Sequence, residues 1–185
     1  MNTLLAMLLA LNIAAPTCGE WPADRSTKEV RQETKARVQH IASELGLSKD
    51  AKAVLRYMVA RESSGDPCAV HTHGEGEYGL GPLGLSVHWT LKHWDSHADA
   101  EVLHIPEVAA VVAIRILRRA VRLHGAKTWT EANSVFATGK IRVRPGKDAI
   151  YCKRLKSHGV DCNSNPAGQL GTKMGLGRTP NQEEV

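Results

Sequence analysis

The chain has 185 residues, enough for one domain that buries its own core, and a formal net charge of +5. That charge suits polyanionic partners such as nucleic acid, anionic lipid or bacterial wall polymer without choosing among them. Aromatic residues make up only 4% of the chain, with a single phenylalanine. This argues against the stacking platforms of single-strand nucleic-acid binders, and no nucleic-acid partner is expected.

Residues 1–19 read as an export signal. The stretch from Leu4 to Ala15 is apolar, too short to span a bilayer and closed by small residues, although no lysine or arginine precedes it. The alternative is a buried N-terminal helix. Cys18 invites a lipoprotein reading, but "APTC" lacks the aliphatic residue three before the cysteine and the small residue just before it. Export to the periplasm or the extracellular space makes oxidised pairs the natural fate of Cys18, Cys68, Cys152 and Cys162. Cys152 and Cys162 flank a "KSHGV" turn, which suggests a local bridge and leaves Cys18 for Cys68; spacing alone does not exclude the other pairings. No CxxC occurs, so the usual zinc-finger spacing is absent.

The main period along the chain is helical. From Lys28 to Leu45, Val30, Thr34, Val38, Ile41 and Leu45 fall on one stripe, with Gly46 as a C-terminal stop. Ser48 can cap a second helix whose Val54, Leu55, Met58 and Val59 point inward, up to Glu62. "HTHGEGEYGLGPLGLSVHW" (71–89) loses the helical period and suits loops or a small sheet edge. Pro106 opens a long apolar helix running towards Gly125, with Ala109, Val112, Ala113, Ile116, Ala120 and Leu123 on the core face. Thr130 can cap a short helix through Phe136, closed by Gly139, and a last helix is expected from Asp148 to Lys156. Residues 163–185 offer little to bury and read as a disordered tail. The fold class is therefore mainly α, with a small β/loop region.

"RESSGDPC" (61–68) carries a glutamate to the end of an apolar helix and breaks the helix just past it. The unpaired carbonyls there carry partial negative charge, and that field and partial burial both disfavour ionisation. A carboxyl group that keeps its proton near neutrality is what a general acid needs. The plain alternative is an exposed helix-end glutamate paired with Arg61 or Arg56.

"ESSGDPCAV", "YGLGPLGLS", a helix opening with "PEVAAVVAIRIL" and "ANSVFATG" follow one another over residues 49–140 in an order and spacing that resembles the soluble lytic transglycosylases of the lysozyme-like superfamily. The resemblance implies a lysozyme-like domain over residues 26–162, helical with a small sheet beside the cleft. It also implies peptidoglycan glycan strands as substrate, no cofactor, and a monomer. Glu62 matches the single catalytic acid and base, and Ser63 the serine that orders the site. Gly79 and Leu80, next to Tyr78, match the second block; Phe136 and Gly139 match the tyrosine and glycine of the third. The chain departs from the pattern where Gly81 and Pro82 replace Met-Gln and where Ala137 replaces an asparagine. Proline supplies neither a side-chain amide nor an N–H. On this reading Glu62 protonates the β-1,4 link between N-acetylmuramic acid and N-acetylglucosamine, and either the C6 hydroxyl or water completes the reaction. A hydrolase needs a second carboxylate, for which Glu75 and Glu77 are the candidates. Wall cleavage of this kind could serve an envelope-spanning secretion, conjugation or phage assembly.

Two rival readings remain. One is a lysozyme-like wall-binding module without catalysis. The other is a metal site: His71, His73, Glu75 and Glu77 alternate, so an extended strand would present them on one face, with His88, His93 and His97 nearby in sequence. Glycines 74 and 76 loosen that strand, no HExxH is present, and no metal is expected. Arg115, Arg118, Arg119 and Arg122 read as the solvated face of the long helix. Trp89, Trp94 and Trp129 could stack on sugars or fill the core.

Overall fold

Thr34, Val38 and Ile41 of the expected stripe, joined by Ala42, form the buried face of helix α1 (Thr27–Glu44), while Val30 and Leu45 are half-buried. The protein is described by a computed structural model covering Cys18 and residues 27–72, 77–93, 100–142 and 145–171. The expected signal sequence apart from Cys18 lies outside the described residues, as do His73, Glu75, Trp94, His97 and residues 172–185.

Ser48 caps α2 (Lys49–Glu62), its hydroxyl accepting from the Ala51 amide at 3.1 Å. The chain then forms a three-stranded antiparallel sheet in the order β1 (Val70–Thr72), β2 (Tyr78–Leu80) and β3 (Leu85–Ser86). Register pairs His71 with Gly79, Gly79 with Ser86 and Leu80 with Leu85. A short helix α3 (Val87–His93) and a 3-10 turn (Ala100–His104) follow. Helix α4 (Pro106–Arg122) is buried over most of its length and packs on both α1 and α5 (Trp129–Thr138), while α6 (Pro145–Ser157) lies against α2 and α5. The first half of α4 is buried on every side, which places it inside the domain, and its arginines come in the second half. Among the described residues the fold is thus mainly helical, six helices with one small sheet, as expected.

Several local expectations are corrected. α3 starts at Val87, inside the stretch read as non-helical. The cap of α5 is Thr128, not Thr130, because Glu131 at N3 completes a reciprocal capping box with it. α6 starts at Pro145 rather than Asp148, since proline suits a first turn. Leu123 is 51% exposed, having slipped past the end of α4 and out of the core stripe.

Residues 163–171 pack on the domain instead of hanging free. Leu170 is buried, the Ser48 amide donates to Gln169 O at 2.9 Å, and Arg118 donates to the carbonyls of Leu170 and Gly171. The arginines of α4 are accordingly not a plain solvated face: Arg115, Arg118 and Arg119 are half-buried, and only Arg122 of the four is exposed. Burial, and then the neighbouring charge of Arg118, push Arg115 down to about 10, and burial lowers Arg118 as well. Arg37 of α1 holds the buried Glu107 at the start of α4 with two hydrogen bonds, 2.5 Å from Nε and 2.8 Å from a terminal nitrogen.

Both expected disulfides are present, Cys18–Cys68 and Cys152–Cys162. They are bonds of an oxidising, extracytoplasmic compartment. No helix among the described residues is long and apolar enough to cross a membrane.

Candidate active site

Glu62 is the last residue of α2, and the chain reverses immediately after it. Ser63 closes the helix, its amide bonded to Val59 O. Ser64 (φ 58°) and Gly65 (φ 94°) then both take the left-handed conformation. Asp66 finishes the turn by accepting the Cys68 amide at 2.9 Å, and Cys68 is tied to Cys18. Small residues, glycine and proline past the glutamate are therefore what the tight reversal requires.

That reversal brings the end of α2 against the sheet. Ser63 Oγ donates to the Pro82 carbonyl at 2.9 Å and accepts from the Gly65 amide at 2.9 Å. Pro82 lies in the turn joining β2 to β3, and the turn is pinned from behind. At Gly81 (φ 76°) an added Cβ would stand 1.9 Å from the Leu103 carbonyl oxygen of the 3-10 turn. His104, also buried there, has Nδ1 2.8 Å from Pro67 O and Nε2 3.5 Å from Glu101. Thus Pro67, the 3-10 turn and the β2–β3 turn form one continuous support.

The Glu62 side chain is 20% exposed and divides its two oxygens between different neighbours. Oε1 lies 3.3 Å from Arg61 Nε. Oε2 looks into the β2–β3 turn, 3.3 Å from where a Cβ on Gly84 would be; His71 Cδ2 reaches the same point, also at 3.3 Å. Arg61 in turn lies over the Tyr151 ring of α6, 4.8 Å from its centroid. Burial works against the charge on Arg61, but Glu62, Tyr57 and Tyr151 outweigh it and hold its pKa above the ordinary value. The guanidinium is a fixed positive charge beside the carboxyl group.

Of the residues singled out from sequence, Glu62 and Ser63 meet the β2–β3 turn. Gly79 is buried at the centre of the sheet, facing His71. Leu80 is 4% exposed and its side chain belongs to the core. Tyr78 is 42% exposed at the start of β2, and Phe136 is half-buried against the core on α5. Glu77 is exposed just before β2. His71 and Glu62 both border the space at Gly84, and no cluster of potential metal ligands among the described residues includes His71 with Glu77. The one grouping with suitable spacing among the described residues is Cys18, Cys68 and His104, whose two sulfurs are consumed by the disulfide. Trp129 is fully buried and Trp89 packs partly against the core.

Arg61 and Gly84 were not singled out as site residues from sequence. An arginine beside a glutamate carries no distinguishing pattern, and Gly84 is one of several glycines in its loop. The chain matches no protein-family model, no curated protein and no solved structure.

Proposed function

We propose that the protein is an exported peptidoglycan-cleaving muramidase of lytic transglycosylase type, with a lysozyme-like fold and Glu62 as its general acid and base. One observation carries the reading: the two sequence blocks that the resemblance pairs, 62–67 and 78–86, converge in space through the Ser63–Pro82 hydrogen bond, with Glu62 Oε2 directed at the turn between β2 and β3. Pro82 lacks the donors of a glutamine, but its carbonyl is the group that receives Ser63.

The chemistry follows from the two environments of the carboxyl group. Glu62 delivers its proton from Oε2 to the glycosidic oxygen while the C1–O bond breaks. The carboxylate left behind is stabilised on Oε1 by Arg61. An oxocarbenium-like centre at C1 is then captured by the sugar's own C6 hydroxyl, whose proton returns to Glu62, giving a 1,6-anhydro end. The disulfides fit action outside the cytoplasm, in the periplasm or beyond the cell.

Glu62→Gln is expected to abolish digestion of purified sacculi while leaving the urea unfolding midpoint unchanged. Products sorted by mass into anhydro and reducing ends separate transglycosylase from hydrolase. A second reading, a wall-binding module of the same fold, is favoured by the Arg61–Glu62 pair, because an ordinary helix-end glutamate makes the same contact. Glycan binding by the wild type without product would establish it.

A further inference from the structure

We propose that His71 is a positioning residue for Glu62, the group that stabilises Oε2 once the carboxyl has given up its proton; the inference rests on the muramidase reading and deepens it.

Three observations converge on His71. It sits at the centre of β1 with exposed Val70 and Thr72 on either side, and is itself half-buried. Across the strand pair it faces Gly79, where no side chain competes with the ring. Its Cδ2 edge and Glu62 Oε2 both lie 3.3 Å from the position a Gly84 Cβ would fill, so both border the space left by the missing side chain of Gly84. Finally Nε2, bonded to that same Cδ2, is shielded from solvent and has no hydrogen-bond partner among the described residues. A buried ring nitrogen without a partner carries a desolvation cost, and a catalytic role is one of the explanations such an atom calls for.

The partner that the geometry points to is Oε2. In the acid form that this role requires, Oε2 carries the proton and has no need of a donor. As that proton moves to the glycosidic oxygen and the C1–O bond breaks, the leaving sugar departs as an alcohol and a full negative charge appears on Glu62. Arg61 already meets Oε1. Rotation of the His71 ring carries Nε2–H towards Oε2, while Oε1 keeps its ion pair with Arg61. When the C6 hydroxyl closes on C1, its proton returns to Oε2 and the imidazole contact relaxes. His71 keeps its own proton throughout.

The test compares Glu62→Gln, His71→Leu, His71→Gln and His71→Asn on purified sacculi, measuring kcat and apparent KM, with urea midpoints to report folding. His71→Leu is expected to lower kcat by about 10- to 100-fold, the range of one charge-assisted hydrogen bond, with KM within about 2-fold. His71→Gln, whose amide reaches about as far as Nε2, is expected to recover most of that loss; the shorter His71→Asn is not. Should His71→Leu fail to fold, the Gln and Asn pair decides, and equal activity in the two overturns the proposal. Wild-type kcat in His71→Leu with an inactive Glu62→Gln removes His71 alone. An active Glu62→Gln removes the muramidase reading and this inference with it.

Discussion

Ser63 and Pro82, nineteen residues apart in sequence, are joined by a 2.9 Å hydrogen bond from the serine hydroxyl to the proline carbonyl. The bond fastens the end of α2 to the β2–β3 turn, and Ser63 also accepts from Gly65 in the reversal that follows Glu62. One hydroxyl thus sets the position of Glu62 relative to the sheet.

Ser63→Ala removes both contacts. It is expected to cost about 1–2 kcal/mol in urea unfolding, the scale of two ordinary hydrogen bonds. Sacculus digestion should fall by more than this loss of stability would produce, since the turn facing Oε2 is released. Ser63→Thr, which retains the hydroxyl, should retain more of the activity.

The two glycines of the β2–β3 turn are expected to fail differently. Gly81→Ala drives a Cβ to within 1.9 Å of the Leu103 carbonyl, a clash that only separation of the turn from the 3-10 helix relieves. The variant should be grossly destabilised. Gly84→Ala meets Glu62 and His71 at 3.3 Å with φ at 57°, which side chains can give way to. About 1–2 kcal/mol of left-handed strain is expected there, with a folded protein and a displaced carboxyl group. Thermal unfolding and sacculus digestion distinguish the two.

Removal of the disulfides, each as a paired Cys→Ser variant, should rank them by the length of chain they close. Cys18–Cys68 spans 50 residues and Cys152–Cys162 spans 10. The loop-entropy relation makes loss of the first bridge the larger, by about 1.4 kcal/mol. A larger loss from the second, in urea midpoints, would contradict this ranking.

Glu107 is expected to cost more to replace alone than together with Arg37. Glu107→Ala removes both hydrogen bonds to the partly buried Arg37 guanidinium and should lower the urea midpoint. The double variant Arg37→Met, Glu107→Leu replaces both members with apolar groups and should recover part of that loss. Urea midpoints of the three proteins form the cycle that checks the coupling.

Helices were legible because burial on one face imposes a period, and caps such as Ser48 and stops such as Gly139 mark their ends. Thr128 escaped notice as a cap because Thr130, two residues on, offers the same hydroxyl, and only backbone geometry chooses between them. Residues 163–171 look dispensable in sequence because what holds them is mainly their carbonyls, which no composition records: Gln169 O accepts from Ser48, and Leu170 O and Gly171 O from Arg118.

Sequence by itself determined the mainly helical class, the acid at the end of α2, the residues that turn the chain beyond it and the cysteines available for bridging. Only tertiary structure decided what that acid faces. The Arg61 contact at Oε1 joins sequence neighbours, but the Gly84–His71 side facing Oε2 depends on how a three-residue strand edge folds back on a helix end. Such contacts leave no periodic trace, because they join residues far apart in the chain through space left by a missing side chain.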